Sequence, residues 1–299
     1  MVPMKIMALC LVVAAGISGQ KLLVYPGDLA SMENVLFVDV RPKELFTKGH
    51  IKGAAHLDGT TLATGAGPYA GPMKPADALR ASVAAAGLDP TRRIVIYGSA
   101  ARPEDVRTAT SLFWALEYLG YDDVSLLDGG YEGWVQGSQE VETGESRVEP
   151  VQAPALTMRR EALATVKDVH DRMADQIGSP VDFRPTAMYA GVSNDPASSR
   201  LGHIPRAKNV PEEELFVSGA LSAFKPAYQL ESVLTDRGVE TNTPTIAYSN
   251  SGPAGSIGYF VLRLTGRAQV SLYDASMAEW GNDSQLPLEM PVQPPASTE

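Results

Sequence analysis

One short segment of the chain combines residues that could bind an anion or carry a nucleophile. It follows the apolar run Thr245–Tyr248 and precedes a helix-like run, 257–264. Backbone N–H groups and the helix dipole stabilise negative charge at such a loop, although Pro253 has no N–H to contribute. The predicted anion loop consists of Ser249, Asn250, Ser251, Gly252, Pro253 and Ala254.

Ser249 is the first residue of this loop and the group whose chemistry matters most. A hydroxyl becomes a good nucleophile only when a general base lies within hydrogen-bond reach. No His or Lys lies in or beside the loop. The sequence therefore favours Ser249 as a small polar loop residue that makes hydrogen bonds. A Ser-His-Asp hydrolase is the alternative, and it would need one of the four histidines close by.

Asp182, Arg184 and His203 are the residues expected to support the loop. Asp182 and Arg184 are two positions apart at the end of a short apolar strand, so they lie on one face. We expect an ion pair or cap that fixes the strand end, with acid or anion-binding chemistry as the alternative. His203 lies in a Gly-His-Ile motif.

The chain contains two copies of one order of motifs, which indicates an internal repeat. Each copy has Asp-x-Arg, then Gly-His-Ile, then an apolar strand ending in Tyr, then an Asp followed six residues later by Trp. The first copy holds these at Asp39, His50, Tyr97, Asp128 and Trp134. The second holds them at Asp182, His203, Tyr248, Asp274 and Trp280.

Short apolar strands alternate with helical runs in both copies. This pattern predicts an α/β fold in which each copy is a parallel sheet with helices on both faces. We predict a first domain over 20–142, a linker over 143–156, a second domain over 157–290 and a Pro-rich tail over 291–299.

The N-terminus has the pattern of a signal peptide. A short basic start is followed by an apolar run and small residues, which predicts a cleaved leader over residues 1–19 and export to the periplasm or the cell exterior. No transmembrane span is expected after cleavage. The chain's one cysteine, Cys10, lies inside this run and is preceded by Leu9. Lipid anchoring through Cys10 is disfavoured, and cleavage would leave no thiol.

The formal net charge is −10, which argues against nucleic acid and anionic membranes as partners. No cofactor is expected, since no dinucleotide or Walker motif is present. No metal site is expected either, because no Cys/His cluster occurs.

The repeated motifs resemble those of the rhodanese family. Two copies in tandem resemble thiosulfate and 3-mercaptopyruvate sulfurtransferases, and the run Leu272–Asn282 is similar to the family's C-terminal signature. The resemblance implies two tandem rhodanese-like domains, the first non-catalytic. It places the family's catalytic cysteine at Ser249, and it implies Arg, Lys or Thr near the loop's end, where this chain has Pro253 and Ala254.

Two functions follow from this resemblance. Sulfur transfer requires a thiolate that forms a persulfide and exchanges it readily, and serine has neither property. We therefore predict an inactive, exported protein that binds a partner in the cell envelope, with a redox assembly as one option and a small anion as another ligand. The alternative is an active thiosulfate or 3-mercaptopyruvate sulfurtransferase, as the resemblance implies.

Overall fold

The computed structural model describes residues 21–65, 71–175 and 178–290. The predicted leader (1–19), with Cys10, and the predicted tail (291–299) lie outside the described residues. Within the described ranges, no helix is both long and apolar enough to cross a membrane.

The first half of the described chain is built on a parallel sheet. Its strands are β1 (Leu23–Val24), β2 (Val35–Asp39), β3 (His50–Ile51), β4 (Ala55–His56), β5 (Arg93–Tyr97), β6 (Val124–Leu127) and β7 (Val141–Glu142). Five strands pair in the order β1-β6-β5-β2-β4, all parallel, while β3 and β7 form a separate antiparallel pair. The helices are α1 (Lys43–Lys48), α2 (Ala76–Ala85), α3 (Arg107–Leu119) and α4 (Gly130–Gln136).

The second half repeats this architecture. Its strands are β8 (Leu163–Ala164), β9 (Ser179–Asp182), β10 (Lys208–Asn209), β11 (Thr245–Tyr248) and β12 (Val270–Tyr273). They pair in the order β10-β9-β11-β12-β8, again all parallel. The helices are α5 (Val166–Asp175), α6 (Thr186–Tyr189), α7 (Ala227–Asp236), α8 (Gly252–Leu264) and α9 (Ser276–Trp280). The predicted fold, two tandem α/β units with parallel sheets flanked by helices, is confirmed.

Central strands carry apolar residues without polar alternation because both faces of each sheet are covered. β6 and β11 are buried at every position. α8 lies close to the second sheet because Gly258 has no side chain. A Cβ at Gly258 would lie 2.1 Å from the ring of Phe183, which follows β9.

The predicted linker, residues 143–156, lies against the first domain. Gly144 donates its N–H to the carbonyl of Thr47 at 3.0 Å, and Val151 donates to Ala84 at 2.9 Å. Hydrogen bonds of this kind hold the connecting segment to one domain rather than leaving it free.

The two domains meet along α3 and α8, which are buried over most of their length. Phe113 and Phe260 make an edge-to-face contact at 5.0 Å between ring centroids. Nearer the C-terminal ends, Glu117 accepts hydrogen bonds from Tyr259 at 2.7 Å and from Arg263 at 3.0 Å. This contact combines apolar packing with a hydrogen-bonded ion pair, which together fix how the domains face each other.

Each domain also contributes an aspartate to the other. Asp274, which follows β12, accepts the backbone N–H of Met73 in the first domain at 3.0 Å. Asp128, which follows β6, accepts the backbone N–H of Phe224 in the second domain at 3.0 Å. Since the two aspartates occupy the same place in the repeat, the interface is approximately two-fold symmetric.

Candidate functional site

The segment that follows β11 is buried. Ser249 is 3% exposed and Ser251 is 4% exposed. α8 begins at Gly252, so Gly252, Pro253 and Ala254 form its first turn instead of continuing the loop. Proline is favoured in the first turn of a helix because its missing N–H has no partner there. The loop proper is therefore three residues long, shorter than the sequence predicts.

Ser276 holds the start of this loop in place. Its hydroxyl accepts the backbone N–H of Ser249 at 3.2 Å and donates to the carbonyl of Tyr273 at 2.8 Å. Ser276 is fully buried and has φ of 53°, a left-handed conformation that is unfavourable for residues other than glycine. A hydroxyl that bridges two backbone segments explains why a serine occupies this position.

Two backbone bonds join the loop to α9. Met277 donates its N–H to the carbonyl of Ser249 at 3.1 Å, and Ala278 donates to Asn250 at 3.1 Å. Asn250 also places its Nδ2 3.5 Å from the sulfur of Met188, while its Oδ1 is buried without a partner. The loop backbone is thus positioned by α9 and the end of β12.

The hydroxyl of Ser249 has no hydrogen-bond partner among the residues that the structure describes. His203 is engaged elsewhere: its Nδ1 lies 2.8 Å from the carbonyl of Tyr189 and its ring stacks on Tyr189 at 3.7 Å. Burial lowers the pKa of His203. No base is therefore hydrogen-bonded to Ser249 in the part of the chain described.

Asp182 and Arg184 form a buried ion pair beneath the loop. The guanidinium meets the carboxylate through Nε at 3.0 Å and Nη2 at 2.6 Å, and Nη2 also donates to the carbonyl of Gly202 at 2.9 Å. Burial alone would lower the pKa of Arg184, but Asp182 outweighs it and the pKa lies above its ordinary value. Both side chains are thus occupied with each other and with the Gly-His-Ile segment.

Tyr248 connects this ion pair to the same segment. Its hydroxyl accepts the N–H of Ile204 at 3.2 Å, and burial, followed by the charge of Asp182, raises its pKa far above the usual value. The first domain repeats the arrangement with Asp39, Arg41 and Tyr97. Because both domains contain it, the arrangement serves the fold whether or not the loop beside it binds a ligand.

The other arginines that could supply positive charge to the loop are occupied elsewhere. Arg200 donates to the carbonyls of Gly281, Trp280 and Leu286, and Arg206 donates to that of Met173. They therefore stabilise the C-terminal segment and α5, and neither is bonded to Ser249–Ser251.

Asp274 is a site residue that the sequence reading did not single out. It lies beside Gly252, where a Cβ would be 2.8 Å from the carbonyl oxygen of Asp274. Burial raises the pKa of Asp274 to about 6. Its position at the carboxyl end of a parallel strand, where such sheets place functional groups, was the available signal.

A second residue that the sequence analysis did not name bonds to the counterpart loop of the first domain, Gly98–Ala101. Glu132 of α4 accepts the hydroxyl of Ser99 at 2.7 Å and the N–H of Ala100 at 2.8 Å. Ser222 of the second domain donates its N–H to the carbonyl of Ala100 at 2.7 Å and covers this loop. The two loops therefore differ in what occupies them.

A cavity of about 1060 Å³ also lies between the domains, but it is at the opposite ends of α3 and α8. Its lining includes Glu117, Tyr259 and Arg263, whose polar groups bond to one another. No residue of the Ser249 loop lines it. In the described ranges, no group of three His, Cys, Asp or Glu side chains could hold a metal ion.

Comparison with known families identifies the repeat. The family model described as a rhodanese-like domain matches residues 27–137 and 165–283. A curated relative, the 3-mercaptopyruvate sulfurtransferase of Escherichia coli K12, is 27% identical over 82% of this chain and 84% of its own length.

Solved structures share the fold. The 3-mercaptopyruvate sulfurtransferase SseA from Escherichia coli superposes with a TM-score of 0.72 at 23% identity, covering 86% of this chain and 99% of that one. A persulfide form of EanB with ergothioneine superposes with a TM-score of 0.76 at 21% identity, covering 87% of this chain. The chain spans only 65% of the length of EanB. At these identities the likeness shows the fold alone.

Proposed function

Since this chain belongs to the rhodanese family, we propose that it keeps the sulfurtransferase fold without the sulfur-transfer reaction and works as an exported binding module in the cell envelope. The observation that carries the proposal is Ser249, a buried residue whose hydroxyl has no base bonded to it among the described residues, at the position where the family resemblance places the catalytic cysteine.

The chemistry of sulfur transfer supports this proposal. A thiolate must attack the sulfane sulfur of thiosulfate, release sulfite and then pass the sulfur to an acceptor. A serine hydroxyl is a poor nucleophile near neutral pH without a base. The one cysteine of the chain, Cys10, belongs to the predicted leader. A leaderless protein has no other thiol to take its place.

The charges around the loop also favour loss of the reaction. Asp274 lies beside the first turn of α8, and Arg184, Arg200 and Arg206 are bonded to other groups. A doubly charged anion such as thiosulfate would therefore lie near the carboxylate of Asp274, and none of these three arginines is free to bind it. The backbone of Ser249 and Asn250 is bonded to Ser276, Met277 and Ala278, so the loop keeps its position without a catalytic cysteine.

Sulfur transfer is the second candidate, because the chain matches the Escherichia coli 3-mercaptopyruvate sulfurtransferase over most of both sequences. The deciding experiment is an assay of the purified leaderless protein with thiosulfate and with 3-mercaptopyruvate, using cyanide as the acceptor. Thiocyanate formed no faster than in the absence of protein supports the binding module. A rate above that background establishes the enzyme and ends the proposal.

A further inference from the structure

A polar cavity lies at the opposite end of the second sheet from Ser249. It is bounded by the first residues of β9 and β11, Ser179 and Thr245, whereas Ser249 follows the last residue of β11. Its volume is about 250 Å³, slightly below the range of pockets that hold organic ligands. The cavity therefore suits a small ligand and is separate from the candidate loop.

Hydrogen-bond donors are concentrated along this cavity. The donor-bearing residues that line it include two cations and two hydroxyls, namely Arg206, Lys208, Ser179 and Thr243. Among the described lining residues, Glu240 is the one carboxylate. Because guanidinium, ammonium and hydroxyl groups donate to oxyanions, this set favours an anionic ligand.

Most of these donors are unused within the described part of the chain. The ammonium group of Lys208 makes no ion pair or hydrogen bond there. The guanidinium of Arg206 makes one bond, from Nη1 to the carbonyl of Met173 at 3.0 Å, which leaves its other nitrogens free. The hydroxyls of Ser179 and Thr243 also have no partner among these residues.

Arg172 adds a further cation behind the wall of the cavity. Its Nη1 is buried and has no hydrogen-bond partner among the described residues. A Cβ at Gly178, which lines the cavity, would lie 3.7 Å from this nitrogen. A buried donor without an acceptor is unfavourable, and an anion beside Gly178 would offset the positive charge.

The first repeat shows that the fold does not require the two hydroxyl residues at the strand ends. Ser179 corresponds to Leu36, since each lies three residues before the Asp of its copy, and Thr245 corresponds to Ile94 in the same way before the Tyr. In both sheets the two residues are paired side by side. Leu36 and Ile94 belong to the buried apolar core, so the polar residues are particular to the second copy.

The two cations also differ from their counterparts. Lys208 lies where the first copy has Ala55. Arg206 lies where the first copy has Gly53, and both have positive φ, 65° and 75°. Glycine adopts this conformation freely, whereas it is unfavourable for arginine. A strained residue that lines a cavity indicates a function for its side chain.

A segment of the chain covers the corresponding place in the first domain. Gly238, which lines the cavity, corresponds to Gly87, since each lies two residues beyond the end of its helix. A Cβ at Gly87 would lie 2.5 Å from the carbonyl oxygen of Glu149 and 2.6 Å from the side chain of Val148. The three atoms nearest to a Cβ at Gly238 all belong to the side chain of Lys208, the closest at 3.6 Å. In the described part of the second domain the place is thus open, with a lysine at its edge.

We propose that this cavity binds a small dianionic oxyanion of the phosphate or sulfate type. Its donors are Arg206, Lys208, Ser179 and Thr243. A tetrahedral oxyanion accepts hydrogen bonds from several directions at once, which matches donors supplied by different strands and loops. The free ion and phosphate monoesters share this group. The site does not involve Ser249, so the proposal stands whether or not the chain transfers sulfur.

Titration of the leaderless protein with sodium phosphate in a chloride buffer tests the proposal. Binding is followed by calorimetry and by amide NMR shifts. We expect one site at millimolar phosphate, with shifts at Ser179 and Gly238 and none at Ser249. Sulfate should compete with phosphate, and acetate, with its single charge, should bind about tenfold more weakly. Methyl phosphate separates the two sources: affinity equal to that of phosphate supports a monoester, and absence of its binding supports the free ion.

Two substitutions that copy the first domain give the sharpest test. Lys208→Ala and Arg206→Gly should each weaken phosphate binding about tenfold, because each removes a charge-assisted hydrogen bond. Arg206→Gly should not lower the midpoint of thermal unfolding, since glycine tolerates the positive φ. Glu240→Gln should strengthen binding about threefold by removing a like charge. Lys48→Ala, at an exposed lysine of the first domain, is the control and should change nothing.

Several results would overturn the proposal. Unchanged affinity in both Lys208→Ala and Arg206→Gly would place the binding elsewhere, and so would shifts confined to the segment 249–252. Equal affinity for acetate would show that the double charge is not recognised. Absence of heat and of shifts with millimolar phosphate, sulfate and methyl phosphate would exclude the site. If Arg206→Gly does not fold, Lys208→Ala decides alone, since Lys208 is exposed.

Discussion

The backbone N–H of Ser249 is bonded to the hydroxyl of Ser276 at 3.2 Å, so the first residue of the candidate loop is positioned by a residue 27 places further along the chain. Ser276 adopts a left-handed conformation to make this bond. The left-handed conformation of Ser276 lowers the free energy of unfolding, whereas the hydrogen bonds of its hydroxyl raise it. Two substitutions can separate these effects.

Ser276→Ala and Ser276→Gly both remove the hydroxyl, but only glycine relieves the left-handed conformation. We expect Ser276→Ala to lower the free energy of unfolding by about 2 kcal/mol through the two lost hydrogen bonds. Ser276→Gly should cost about 1 kcal/mol less, because glycine tolerates positive φ. Urea unfolding of both variants measures the difference, and equal losses would show that the conformation carries no strain.

Ser249→Cys places a thiol at the N-terminus of α8, where the helix dipole favours the thiolate. We expect this variant alone to form thiocyanate no faster than background, because Pro253 and Ala254 supply no group for the substrate anion. Ser249→Cys with Pro253→Lys should raise thiocyanate formation above that background, because the half-buried position 253 regains an N–H and gains a cation for the substrate anion. Full activity in the single variant would mean that only the nucleophile has been lost.

Asp182→Asn leaves the guanidinium of Arg184 buried without an anion. We expect a loss of about 3–5 kcal/mol in the free energy of unfolding. Asp39→Asn is the matched variant in the first domain and should cost less, since Arg41 also lies over the ring of Tyr131 at 3.6 Å. Thermal and urea unfolding measure the loss of stability in both variants. A smaller loss in Asp182→Asn than in Asp39→Asn would show that the ring of Tyr131 does not stabilise the unpaired Arg41.

Glu117→Gln tests the ion pair across the domain interface. Arg263 would keep its charge but lose its anion while 25% exposed, so we expect a loss of about 2 kcal/mol. Combining Glu117→Gln with Arg263→Met should restore part of this loss, because the orphaned charge is removed as well. A double-mutant cycle gives the coupling energy, and simple additivity would show that the two side chains do not interact.

Asp274 should make stability depend on pH. Burial raises the pKa of Asp274 from 3.8 to about 6, so the folded protein binds this proton more tightly than the unfolded chain does. The stabilisation from the protonated form is complete below about pH 4 and is lost as pH rises through 6. Asp274→Asn keeps an acceptor for the N–H of Met73. It should remove the loss of stability between pH 4 and pH 7 and raise the free energy of unfolding at pH 7 by up to about 3 kcal/mol.

Thermal melts between pH 4 and pH 8 check this prediction against Asp236→Asn, a surface variant at the end of α7 that should leave the pH profile unchanged. A profile for Asp274→Asn that matches that of the unaltered protein would assign the pH dependence to other groups.

The fold was predictable because it depends on local and repeated patterns. The apolar run Thr245–Tyr248 has the bounds of the observed β11, since a run of apolar residues between turn residues is a strong strand signal. α8 begins at Gly252, five residues before the helix-like run that the sequence indicates. The Gly-Pro pair belongs to the helix and not to the loop, because proline is common in the first turn of a helix.

The details of the site were less accessible to sequence reasoning. The contact between Asp274 and Met73 joins residues that are 201 positions apart, and nothing in their local sequence indicates that they meet. The occupancy of the first loop by Glu132 had a weak signal, which was the mismatch with Ala278 when the two copies are aligned. The difference between Glu132 and Ala278 can be interpreted only when the hydrogen bonds of the first loop are known.

The exchanged aspartates mean that the two halves of this molecule depend on each other. Without the second half, Asp128 would lose the amide of Phe224, and without the first half, Asp274 would lose the amide of Met73. A protease that cuts the connecting segment should therefore leave a nicked protein whose fragments co-elute. Each repeat can change in sequence separately, but each supplies a backbone amide that satisfies an aspartate of the other.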